Sequence, residues 1–144
     1  MTDDDRPLDY SAMTPENTRK AAALAAEAVR FLNHATLFPT APALEYPSDV
    51  DALLADLETL QQRLPQLLGQ LGEWMAAECK AGRVRVSCGT YAHSPSTEGI
   101  AVSALRQYLT EAAARADGAR EALHDARQIT AALAGVPGGE RDRP

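Results

Sequence analysis

An all-α fold is what the sequence predicts: an up-down helical bundle built on a long antiparallel helical hairpin. Three observations carry that reading. Alanine, the best helix former and a poor strand former, fills 28 of the 144 positions. Apolar residues recur at spacings of three and four through three long segments. Capping and stop residues flank those segments. At 15.4 kDa the chain is long enough for one core. The expected organisation is a disordered acidic tail over 1–13, a helical bundle domain over 14–136, and a disordered tail over 137–144.

The first helix starts at Thr14 as cap, with Pro15 in the first helical position and Glu16 in the positive first turn. It is expected to run to about Thr36. Ala22, Ala25, Val29 and Leu32 form one apolar stripe, and Leu24, Ala28, Phe31 and Ala35 a second, which predicts burial on more than one side. Residues 37–47 then carry three prolines, and each keeps its neighbourhood extended. Leu37, Phe38, Leu44 and Tyr46 of this segment are expected to cover core.

The second helix is expected to begin at Ser48 as cap, with Asp49 and Asp51 in its first turn. Val50, Leu53, Leu57, Leu60, Leu64, Leu67, Leu71 and Trp74 make an uninterrupted heptad seam, the pattern of a coiled coil. Leu54, Leu68 and Met75 widen it. Gly82 marks the stop after Lys80. Pro65 lies inside the pattern and predicts a kink or a split, with the unbroken register favouring a kink. Mid-helix Gly69 and Gly72 read as places of close packing.

The third helix is expected from just after Ser94-Pro95 to Gly135. Its seam runs Val102, Leu105, Leu109, Ala112, Ala116, Ala119, Leu123, Ala126, Thr130 and Leu133. Folded against the second helix, this register sets Leu64 against Ala112, Leu60 against Ala116 and Leu57 against Ala119. Large residues then oppose small ones.

The connection over 82–94 is long for two antiparallel helices. Arg83-Val84-Arg85-Val86 alternates like a short strand, and Gly89 is placed to turn a small ribbon. Arg83, Arg85, Cys88, Tyr91 and His93 are therefore the candidate interaction residues, set against the plainer reading that this loop caps one end of the bundle.

Other candidate chemistry is sparse. Cys79, Cys88 and His93 match no zinc spacing, and Cys79 reads as a small apolar filler one turn after Met75. Glu121-x-x-His124 has the spacing of a di-iron bundle, but that chemistry needs a second copy and further glutamates. His34 reads as a helix-end residue facing the negative pole of the dipole. The chain shows no nucleophile elbow and no Gly-rich phosphate loop. No catalytic residue, cofactor or metal site is assigned. The net charge of −6 weighs against nucleic acid, and no stretch is apolar enough to span a membrane.

The functional expectation is a non-enzymatic module for protein–protein interaction or oligomerisation. The alternative is a small-ligand- or metal-dependent helical-bundle enzyme, which would need acids or histidines on seams that are instead Leu and Ala. The acidic start, unlike a basic-then-apolar secretion signal, makes the cytoplasm the expected setting. The partners expected are a second copy of the chain, forming a homodimer or larger, and an unidentified protein. The long hairpin helices outreach the first helix by roughly 20 Å and leave apolar flanks to cover.

Overall fold

The computed structural model describes residues 11–37, 43–87 and 97–133. Among these it contains three α-helices and no strand: α1 (Pro15–Ala35), α2 (Pro47–Lys80) and α3 (Thr97–Thr130). The chain divides into two units, Met1–Glu45 with α1 and Tyr46–Pro144 with α2 and α3. Residues 1–10 and 134–144, which carry most of the two expected tails, lie outside the described residues.

The start of α1 is the expected one. The Thr14 hydroxyl accepts the Asn17 amide at 3.2 Å, Pro15 leads the first turn and Glu16 faces its positive end. At the other end the Thr36 amide and hydroxyl both donate to the Leu32 carbonyl, at 3.0 and 2.9 Å. Within its own unit α1 buries no residue, and Leu24, Val29 and Phe31 are exposed there. Leu37, Leu44 and Tyr46 are exposed too, and Phe38 lies outside the described residues.

The N-terminus of α2 corrects the expected cap. Tyr46, not Ser48, is the cap residue, because Pro47 has no amide to satisfy and its φ is already helical. Asp49, at the third helical position, reaches back so that its carboxylate accepts the Tyr46 amide at 2.8 Å. The helix then runs without a break through Pro65, which rules out the split.

The other end of α2 closes with a Schellman motif. Gly82 has φ +71°, a left-handed conformation that glycine adopts without strain. The Gly82 amide donates to Cys79 O at 2.9 Å and the Arg83 amide to Glu78 O at 3.0 Å. The α3 helix ends earlier than expected, at Thr130 rather than Gly135. There the ladder tightens to bonds three residues back, from Ala132 to Ile129 O and from Leu133 to Thr130 O, both 3.0 Å.

The α2 and α3 helices pack along their length as an antiparallel pair. The register differs from the expected one. Asp51, expected opposite Asp125, bonds Thr130, and Gly72, expected opposite Ala104, packs on Arg106 and Leu109. The offset is roughly one helical turn. Ala116 is accordingly buried, while Ala112 is exposed. The leucine seam also leaves the interface midway. Up to Leu64 its members are half-buried, but Leu67, Leu71 and Trp74 are exposed, and Leu68, Gly72, Met75 and Cys79 take over the packing. A heptad repeats every 3.5 residues and a straight helix every 3.6, so a strict heptad rotates out of a fixed contact line.

Candidate functional site

The two arginines of the 82–94 connection are engaged locally. Arg83 donates to Glu78 through Nε (2.7 Å to Oε2) and an Nη (2.6 Å to Oε1), a bidentate pair between the same two residues whose backbones close the Schellman motif. This hydrogen bond holds the Glu78 carboxyl below the usual carboxylate range and raises Arg83. Arg85 donates to the carbonyls of Gly82 at 3.2 Å and Val84 at 2.9 Å. Residues 83–87 form no strand. Cys88, Tyr91 and His93 lie outside the described residues, so the structure brings together only the arginine pair of that candidate set.

A second polar cluster, not foreseen from spacing, lies where the start of α2 meets the end of α3. Arg127 donates from Nη1 to Glu58 Oε2 at 2.9 Å, and its solvent-shielded Nε sits 3.5 Å from Asp51 Oδ1. The latter is long for a hydrogen bond and acts mainly through charge. Thr130 donates its hydroxyl to the same Asp51 oxygen at 2.9 Å. His124 Nδ1 is 3.3 Å from Glu58 Oε1. The Arg127 hydrogen bond lowers the Glu58 carboxyl most; burial opposes it, and the charges of His124 and Arg127 add to it. These groups pin the helix register.

Glu121 does not join His124: it is exposed and lies 4.0 Å from Arg120. Among the described residues no group of three or more His, Cys, Asp or Glu is placed to hold a metal. Cys79 is a half-buried free thiol in the interface, and His34 stands in the last turn of α1.

Small residues open two shallow grooves between the helices. One, of about 150 Å³, is floored by Gly69, Gly72 and Ala113; the other, of about 310 Å³, by Ala76, Gly99 and Ser103. The Glu73–Arg106 ion pair borders the first. Both grooves are open to solvent and carry no catalytic grouping.

The two faces of the α2–α3 pair differ in character. At about 100° per residue, the line through Pro65, Leu68, Gly72 and Cys79 faces α3. Leu53, Leu60, Leu64, Leu67, Leu71 and Trp74 lie about a third of a turn to one side of that line. On α3 the contact line runs through Val102, Leu109, Ala116 and Arg127, and Ala104, Tyr108, Ala119, Ala126 and Ile129 flank it, with the charged Glu111 and Arg115 among them. Because the helices run in opposite directions, both flanks fall on one side of the pair.

That side is largely apolar and open: Leu67 is 49% exposed, Leu71 47%, Trp74 61% and Tyr108 67%. The opposite side carries Glu73 with Arg106, Glu58 with His124 and Arg127, and Gln62, Gln66, Asp117 and Glu121. Sequence reasoning found the leucine row but assigned it to the α2–α3 contact. The signal that separates the two is the second row, Leu54, Leu68 and Met75, which carries the contact beyond Leu64, where Leu67, Leu71 and Trp74 become exposed. No protein-family model matches the chain, and comparison with curated proteins and with solved structures finds no match.

Proposed function

We propose that the chain is a non-enzymatic association module, a helical hairpin whose work is to bind protein, including other copies of itself. The observation that carries this reading is the largely apolar side of the α2–α3 pair, where Leu67, Leu71, Trp74 and Tyr108 stand open to solvent. Such a strip is the composition of an interface centre, with aromatic anchors among aliphatic residues. The polar clusters that the helices do form are internal pairs that hold the register, not groups aimed into a cavity. No described helix is long and apolar enough to cross a membrane, and the reading sets the chain in the cytoplasm, where Cys79 stays a thiol.

The test is the size of the tagged chain in lysate of its native host, read by size-exclusion chromatography with detection of the tag. Migration well above a 15.4 kDa monomer supports the module reading. Migration as a monomer across the accessible concentrations overturns it.

A further inference from the structure

We infer that the apolar side of the α2–α3 hairpin is an isologous interface for a second copy of the same hairpin, giving a four-helix arrangement. The inference rests on the association reading and names its partner.

Dimension is the first argument. Each helix has 34 residues and so is roughly 50 Å long, and two helices packed side by side are about 20 Å across. The apolar strip covers about 35 Å of that length, from Leu53 to Trp74 on α2 and from Ala104 to Ile129 on α3, and so offers on the order of 700 Å², close to the roughly 800 Å² that each partner contributes to a stable complex.

Self-complementarity is the second. An isologous interface needs one surface that fits its own copy. This side carries a ridge on α2, Leu60, Leu64, Leu67 and Leu71, and on α3 a row of small residues, Ala104, Ala112, Ala119 and Ala126, interrupted by Arg115, whose long side chain reaches past the row to solvent. A two-fold axis parallel to the helices lays the α2 ridge of each copy over the α3 row of the other. Every neighbouring pair of helices in the resulting bundle is then antiparallel.

Periodicity is the third. The full α2 seam keeps a 3.5-residue repeat over four heptads, the repeat of a seam that supercoils with a partner. Its second half, Leu67, Leu71 and Trp74, turns out of the α2–α3 contact and is left for another helix. The charged side, with the Glu58–Arg127 and Glu73–Arg106 pairs, faces away from this contact.

The experiment is light scattering after size-exclusion chromatography of the full chain at micromolar concentration. The wild-type mass is expected at about 31 kDa, twice the 15.4 kDa of one chain. The double variant Leu67→Glu, Leu71→Glu is expected at half that mass with unchanged helical circular dichroism, because both residues are already exposed in one chain. Ala112→Glu, at an exposed position on α3, reaches the same contact from the other helix and is expected to halve the mass too. Trp74 emission shifts to the red in each variant as its ring passes from interface to water.

A wild-type mass of 15.4 kDa overturns the inference, as do variants that keep the dimer mass. If the purified chain is monomeric yet migrates in a larger complex in native lysate, the second copy is wrong and the association reading stands. Monomer in both settings overturns both.

Discussion

Glu58 is where most of the charge between α2 and α3 converges. Its carboxylate takes Arg127 on one oxygen and His124 on the other, and Arg127 extends the chain to Asp51. Its pKa is lowered in the folded protein, chiefly by the Arg127 hydrogen bond. A depressed carboxylate contributes stability above its unfolded pKa and loses it as pH falls through the folded value. Glu58→Gln is therefore expected to lower the urea midpoint at pH 7, with the deficit shrinking below about pH 4 as the wild-type group protonates. Equal deficits at pH 7 and pH 3 would remove the carboxylate from this role. His124 was legible as a surface residue, but its partner lies on another helix, and no local spacing reports that.

Gly72 gives a second test at the same scale. It is buried, and a Cβ there would meet Arg106 Cγ at 3.4 Å and Leu109 Cδ1 at 3.6 Å. These are snug contacts rather than clashes, so Gly72→Ala is expected to gain about 0.5–1 kcal/mol from helix propensity. Gly72→Leu has no room and is expected to destabilise, by chemical denaturation of both variants. Gly69, with nothing within 4 Å of its Cβ position, is expected to accept either residue. The two glycines look alike in sequence; only the register distinguishes the one that touches α3.

At the scale of elements, the three helices and their rough limits were legible because caps, stops and periodicity are local. Thr14, Pro15 and Gly82 act as their chemistry dictates. What was not legible is the phase of one helix against another. The leucine row is the strongest pattern in the chain, and reading it as the α2–α3 contact displaced the register by roughly one turn. Ala116→Leu and Ala112→Leu test the observed register directly. Ala116 is buried and Ala112 exposed in one chain, so in the monomeric Leu67→Glu, Leu71→Glu background the first is expected to cost about 1–3 kcal/mol by overpacking and the second under about 0.5 kcal/mol. The expected seam would have made both costly.

Pro65 tests the element in a different way. It lies within a continuous helix, where it has no amide to donate to the Gln61 carbonyl. The helix continues through that defect, with Pro65 and Leu68 both on the side that faces α3. Pro65→Ala is expected to raise the thermal midpoint, with a gain of up to about 3 kcal/mol, the helix-interior cost of proline. A drop would show that a bend at this position is needed for α2 to follow α3.

Beyond single elements, the decisive feature of the α2–α3 unit is how little of the hairpin its two helices enclose. Among the described residues of α2 and α3, Gly72, Thr97, Val102 and Ala116 alone are buried, and none is a large side chain. The leucines of the interface are half-buried at best. Apolar burial is the main favourable term in folding, and it must outweigh the ordering entropy of every residue in two 34-residue helices. A pair of helices with one open apolar side keeps only a small margin in that balance, whereas covering the Leu67, Leu71 and Trp74 strip adds whole side chains to the core. Folding and self-association are then linked, and mass action sets the stability. The thermal midpoint of the wild-type chain is expected to rise as protein concentration is raised from about 1 to about 100 µM. That of Leu67→Glu, Leu71→Glu is expected to sit lower and not to move with concentration. A wild-type midpoint independent of concentration across that range, measured by circular dichroism at both ends, would mean that the hairpin reaches its stability without a second copy.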